Sequence, residues 1–206
     1  MRTYVLVRHA ETEWNQTHRF QGTSDVPLSE VGRQQAQRLS DRLQNESFDA
    51  IFTSDLSRAC ETAQIIAAPH SLDPIQDPFL QEMNFGLWEG MTYKEIKDQF
   101  PLDLNTWEEG WIHTTPPEGE GLQDVVDRIQ SFRTKISEMD FMGKVLITAH
   151  KGPLQCLLSQ LMGLGSEFYW QFDISTASIT EIRCFRDGAI LGKLNDTCHL
   201  EELNES

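Results

Sequence analysis

Three short apolar runs, TYVLV (3–7), DAIFT (49–53) and KVLIT (144–148), are each followed by an amphipathic helical pattern, and this alternation most constrains the fold. Runs of this length suit strands buried on both faces, and strands separated by helices pair in parallel. After the first run, LSEVGRQQAQRLSDRL offers Ser29 as N-cap, with Ala36, Leu39 and Leu43 on one face. A helix from about Leu56 to Ala68, ended by Pro69, follows the second. PLQCLLSQLMG, stopped at Gly163, follows the third. The expected fold is α/β, three-layered, with a mostly parallel central sheet covered by helices on both faces.

The remaining segments fit that frame. LQDVVDRIQSFRTKI places Leu122, Val125, Val126, Ile129, Phe132 and Ile136 at helical spacing, while SITEIRCF and AILGKL around Asp187-Gly188 predict a hairpin. Between 69 and 120 the periodicity fades into a loop-rich insertion over the site, with one short helix expected at the capping box Thr92–Glu95 and with Trp88, Trp107 and Trp111 among its polar loops. At 206 residues, with no repeat or linker, the chain is expected to form one domain over 1–206. The acidic end EELNES is expected to fray.

Charge and cysteine content narrow the partners. A formal charge of -15 argues against nucleic acid, whose binding rests on clustered cations. A site for a small anion would have to concentrate its own positive charge. No stretch approaches the roughly eighteen apolar residues of a membrane span, and the first residues do not resemble a signal peptide, so no membrane association and a cytoplasmic location are expected. Cys60, Cys156, Cys184 and Cys198 form no CxxC pair, which suits reduced thiols. The oligomeric state, monomer or homodimer, is left open.

The three strand ends supply that charge. The first runs into Arg8-His9, the second is followed by Arg58 in the opening turn of a helix, and the third ends at Ala149-His150. In open α/β sheets ligands bind beyond the carboxyl ends of strands, so these ends would gather two guanidiniums and two imidazoles along one edge. Guanidinium forks match phosphate oxygens and stabilise charge on a transferring phosphoryl group. The natural ligand is a small-molecule phosphomonoester, with one of the two histidines as a neutral nucleophile and a nearby carboxyl group protonating the leaving alkoxide. Glu82, in FLQEMNFGLWEG, opens the insertion. HExxH, HxH, GxxxxGK[ST], GxGxxG and GxSxG are absent, which removes the common metal, nucleotide-loop and serine-hydrolase signatures.

These residues resemble the histidine phosphatase superfamily, also called the phosphoglycerate mutase-like family. LVRHAETEWN is similar to its LVRHGxTxWN signature; FQGTSDVPLSEVGRQQA, IFTSDLSRACETAQII, QEMNFGLWEG and TAHKGPL are similar to its other segments, over residues 3 to about 199. The resemblance implies a phosphoglycerate mutase-like fold, His9 as the phosphorylated nucleophile, Arg8, Arg58 and His150 as the phosphate clamp, Glu82 as proton donor, Asn15 as a further phosphate contact, and no metal or other cofactor. Gln21, Gly22 and Thr23 match a loop that approaches substrate in that family. Three departures stand out. Ala10 replaces a commoner glycine, Gly121 replaces the serine of GGES beside Glu120, and Lys151 replaces the first glycine of HGG, where its charge could meet a second anionic group on the substrate or point to solvent.

Mutases of the family typically carry ERHYG and paired arginines in a longer insertion. This chain has EMNFG and no such pair, which favours a metal-independent phosphatase over a cofactor-dependent mutase. Its EMNFGLWEG and LNDTCHL segments resemble α-ribazole phosphatases and metal-independent phosphoserine phosphatases alike; fructose bisphosphatases and broad-specificity enzymes of the family also fit. A non-catalytic phosphate-binding module would not need the acid.

Overall fold

The first predicted run forms β1 (Arg2–Arg8) and the second β2 (Ala50–Thr53); a two-residue strand, β3 (Ile75–Gln76), follows, then β4 (Lys144–Ala149), β5 (Ile179–Phe185) and β6 (Gly188–Asp196). In this computed structural model, which describes residues 1–110, 112–139 and 143–203, they make one sheet in the order β3-β2-β4-β1-β5-β6. β1 to β4 are mutually parallel, and β5 and β6 run antiparallel at one edge. Trp111 and the end of the EELNES tail lie outside the described residues, while Glu201 to Leu203 continue a 3-10 helix that begins at Cys198.

Side chains alternate across this sheet because successive residues of a strand face opposite ways. Val5, Val7, Ile51 and Leu146 pack against α2 (Glu30–Leu43) and α3 (Ser57–Ala67), which follow the four-residue helix α1 (Glu13–Gln16). Tyr4, Leu6, Phe52, Val145 and Ile147 face the other way. That face is covered by α6 (Leu122–Glu138) and α7 (Lys151–Met162), which come after α4 (Tyr93–Gln99) and α5 (Pro101–Gly110). Strands buried from both sides need unbroken apolar runs, which explains the sequence pattern. Phe132, fully buried and edge-on to Phe52 at 5.6 Å, anchors α6; truncating such a side chain to Ala costs about 3–5 kcal/mol.

Ser29 caps α2 by accepting from the Gly32 N–H at 3.0 Å. Pro69 falls in a 3-10 turn (Ala68–His70) that ends α3. The hairpin turn is Arg186-Asp187, one residue earlier than its Asp-Gly pair suggests, because Phe185 pairs with Gly188. The segment 69–120 carries more structure than its sequence announces. The predicted helix forms as α4, with the Thr92–Glu95 capping box in place, but α5 follows it directly, and Trp88, Ile96 and Leu104 bury together as a third small core.

Candidate active site

Pairing register brings the three predicted strand ends together: Arg8 lies opposite Ala149, and Thr53 opposite Thr148. The ladder continues one residue further, because the His9 N–H donates to the Ala149 carbonyl at 2.9 Å and the Ser54 N–H to the Thr148 carbonyl at 3.0 Å. His9 and His150 are thereby fixed at the edge of the sheet, while Arg58 occupies the first turn of α3.

Both imidazoles are buried, with ring centroids 5.0 Å apart. His9 Nδ1 lies 2.7 Å from the Ala10 carbonyl, which only accepts, so Nδ1 carries the proton and neutral His9 keeps its lone pair on Nε2. Burial, then the Arg58 and Arg8 charges, hold the His9 pKa well below its ordinary 6.5 despite that hydrogen bond. His150 takes the opposite tautomer. Its Nδ1 accepts from Arg58 Nε at 3.2 Å, and its Nε2, 2.9 Å from Ser54 Oγ, carries the proton. Burial and Arg58 likewise push its pKa well down.

The arginines are held by carbonyls. Arg58, fully buried, donates from Nη1 to the Ser24 carbonyl at 2.8 Å and from Nη2 to the Gly22 carbonyl at 2.7 Å. With Nε on His150, three of its roughly five N–H bonds hold it in place and the others remain for the adjoining cavity. Burial lowers its pKa to about 10, opposed by Glu82, Asp25 and Glu89, so it stays charged at neutral pH. Arg8 Nη1 donates to the Ile174 carbonyl at 2.8 Å, and its buried Nε has no acceptor among the described residues. A buried guanidinium donor left this way is suited to an anionic oxygen.

The loop that holds Arg58 is itself held by Glu89. Its carboxylate accepts from the Thr23 N–H at 2.8 Å and the Ser24 N–H at 2.9 Å, as well as from both hydroxyls. Gly22 sits at φ +54°, and a Cβ there would lie 1.9 Å from Glu89 Oε1, so this close approach requires glycine.

A cavity of about 540 Å³ is lined by Arg8, His9, Asn15, Gln21, Gly22, Arg58, Glu82 and Lys151, among others, whereas His150, fully buried, is not part of its lining. Glu82 reaches it because Gly152 has no side chain: a Cβ there would stand 2.6 Å from Glu82 Oε1. Asn15 Oδ1 accepts from the Thr12 N–H at 3.0 Å, leaving its amide N–H groups for the cavity. Gln21 Oε1 is buried without a donor among the described residues. Thr23 is not part of the lining; it turns to Glu89 instead. Lys151 is half-exposed and pairs with Asp173 at 3.2 Å. Glu120 stands away from the cavity, paired with Arg128 at 2.9 Å and accepting from the Asn84 N–H. The methyl of Ala10 is buried in the α2–α3 core, which accommodates the departure from glycine.

Of the other histidines, His113 is exposed and His18 is exposed at the cavity rim. His70 and His199 are half-buried: His70 packs edge-on to Phe48 at 5.0 Å, and His199 Nε2 lies 2.9 Å from the Ala177 carbonyl. Two residues that sequence reasoning passed over serve the site indirectly: Ser54, visible only as a strand end, and Glu89, whose sole signal is its place in FGLWEG.

Residues 4–197 match the family model of the histidine phosphatase superfamily, branch 1. Phosphoserine phosphatase 1 of Hydrogenobacter thermophilus is 34% identical over 198 residues, covering 96% of this chain and 94% of that protein. The adenosylcobalamin/alpha-ribazole phosphatase of Escherichia coli is 32% identical over 191 residues, covering 92% and 94%. Among solved structures, the alpha-ribazole phosphatase of Shigella flexneri superposes with a TM-score of 0.89 at 31% identity, covering 94% of this chain and 96% of that one.

Proposed function

This chain belongs to the histidine phosphatase superfamily, and on that premise we propose that it is a phosphomonoesterase that acts on a small phosphorylated metabolite through a phosphohistidine at His9. The observation that carries this reading is the bare Nε2 of His9, which shares one cavity with the two guanidiniums and Glu82.

In the first step the His9 Nε2 lone pair forms the N–P bond as the ester P–O bond breaks, and Glu82 gives its proton to the departing alkoxide. In the second, water attacks phosphorus, Glu82 takes back a proton, and the N–P bond breaks to restore His9 and release phosphate. Arg8 and Arg58 hold the charge that develops, and His150, 5.0 Å from His9 with its Nδ1 on Arg58 Nε, completes the clamp behind them. Asn15, Gln21 and the Gly22 turn complete the phosphate end, Thr23 acts through Glu89, and Lys151 stands at the rim toward the leaving group.

Because arginines supply the positive charge, the reaction needs no metal or other cofactor. Among the described residues no helix is long and apolar enough to cross a membrane, and the four cysteines are free; together these features support action on a diffusible metabolite in a reducing cytoplasm. The test is phosphate release from phosphomonoesters in excess EDTA, with His9→Ala as control. Release that is lost in the variant supports the reading. Interconversion of phosphoglycerates primed by a bisphosphate, without phosphate release, would make the protein a mutase instead.

A further inference from the structure

The half of the cavity beyond the phosphate end differs from the cluster of charge beneath it. Its walls are formed by Phe20, Phe85, Trp107, Leu122, Val125 and Trp170. Phe20 packs edge-on against Phe85 at 5.0 Å and against the buried Trp88 at 6.4 Å, and Trp88 in turn meets Trp107 at 5.7 Å. The small core of Trp88, Ile96 and Leu104 therefore braces this wall from behind, which makes it a pre-formed apolar surface rather than a loose flap. Trp170, 59% exposed, forms its outer lip.

The nearby arginine and lysine are already paired. Arg19 donates from Nη1 to the Gly90 carbonyl at 2.6 Å and pairs with Glu95 at 2.9 Å, and Lys151 pairs with Asp173. A second anionic group on a substrate would meet the carboxylates of Glu95 and Asp173 beside those cations. An aromatic or apolar body would displace only water, from a space of about 540 Å³, ample for a group well beyond a serine side chain.

Resting on the phosphatase reading above, we propose that the substrate's leaving alcohol carries a flat aromatic or comparably apolar body and no second anion. Ethyl, phenethyl and naphthylethyl phosphates share a primary alkoxide leaving group and differ mainly in that body. Their kcat/KM should rise about tenfold or more from ethyl to naphthylethyl phosphate, and phosphoserine should do no better than ethyl phosphate. Trp170→Ala, at an exposed lip the fold does not depend on, should cost naphthylethyl phosphate more than ethyl phosphate. A flat series, a preference for phosphoserine, or an equal effect of Trp170→Ala on both esters would overturn the proposal while leaving the phosphatase reading intact. Absence of His9-dependent release from every ester would overturn both.

Discussion

His9 and His150 face each other in opposite tautomers: the Nδ1 of one donates to the Ala10 carbonyl, while the Nδ1 of the other accepts from Arg58 Nε. Across a centroid separation of 5.0 Å, one ring keeps a bare nitrogen while the other holds its N–H on Ser54 Oγ. The proposed attack by His9 needs that bare nitrogen, and the Ala10 carbonyl and Arg58 fix the two tautomers before any substrate arrives.

Arg58 joins this arrangement to the phosphate end. Arg58→Ala removes the donors proposed for the transition state together with the hydrogen bond to His150 Nδ1, so kcat should fall by about two to three orders of magnitude. Steady-state kinetics on a single phosphomonoester checks this, and a near-normal kcat would take Arg58 out of the chemistry.

Glu82 should matter in proportion to how poor the leaving group is. Glu82→Gln should slow an alkyl phosphate far more than an aryl phosphate, whose leaving oxygen needs little protonation. Gly152→Ala should reproduce the same pattern more weakly, because its methyl pushes against Glu82 Oε1. Equal losses on both ester types would mean that neither change touches proton donation.

Glu89 is expected to act through Arg58 by way of the 22–24 loop. Glu89→Gln turns an amide N–H₂ toward backbone N–H donors and should cost about 2 kcal/mol of stability, with a drop in kcat smaller than that of Arg58→Ala. Thermal melting and kcat measured on the same variant test this. An unchanged Tm and an unchanged kcat would refute the bracing role.

Acid should weaken the fold through the two buried imidazoles. Their folded pKa values lie well below 6.5, so on acidification the unfolded chain takes up protons first and gains the advantage. Their contribution is intact above about pH 6.5 and is lost as pH falls from there toward the folded values. Tm should decline over that window, and less steeply in His9→Gln. Parallel slopes for the two proteins would show that His9 is protonated as readily in the fold as out of it.

The strands were legible because β1, β2 and β4 are buried on both sides and must be apolar throughout, and their ends marked Arg8, His9, Arg58 and His150. β3 was not legible, since both of its residues, Ile75 and Gln76, are exposed and carry no pattern. Nor was α5, where Leu104 alone is buried and no apolar stripe forms. Glu82 and Asn15 came from family resemblance rather than periodicity. Ser54 and Glu89 stayed hidden because they work on a ring nitrogen and on backbone N–H groups that only the folded loop brings to them.

Rapid quenching during turnover, followed by phosphorus NMR and peptide mapping, shows whether His9 Nε2 carries the phosphoryl group. An acid-labile phosphohistidine linked through Nε2 is expected in the peptide containing His9, and is expected to be lost in His9→Ala. A phosphoryl group on His150, or on Nδ1 of His9, would contradict that expectation.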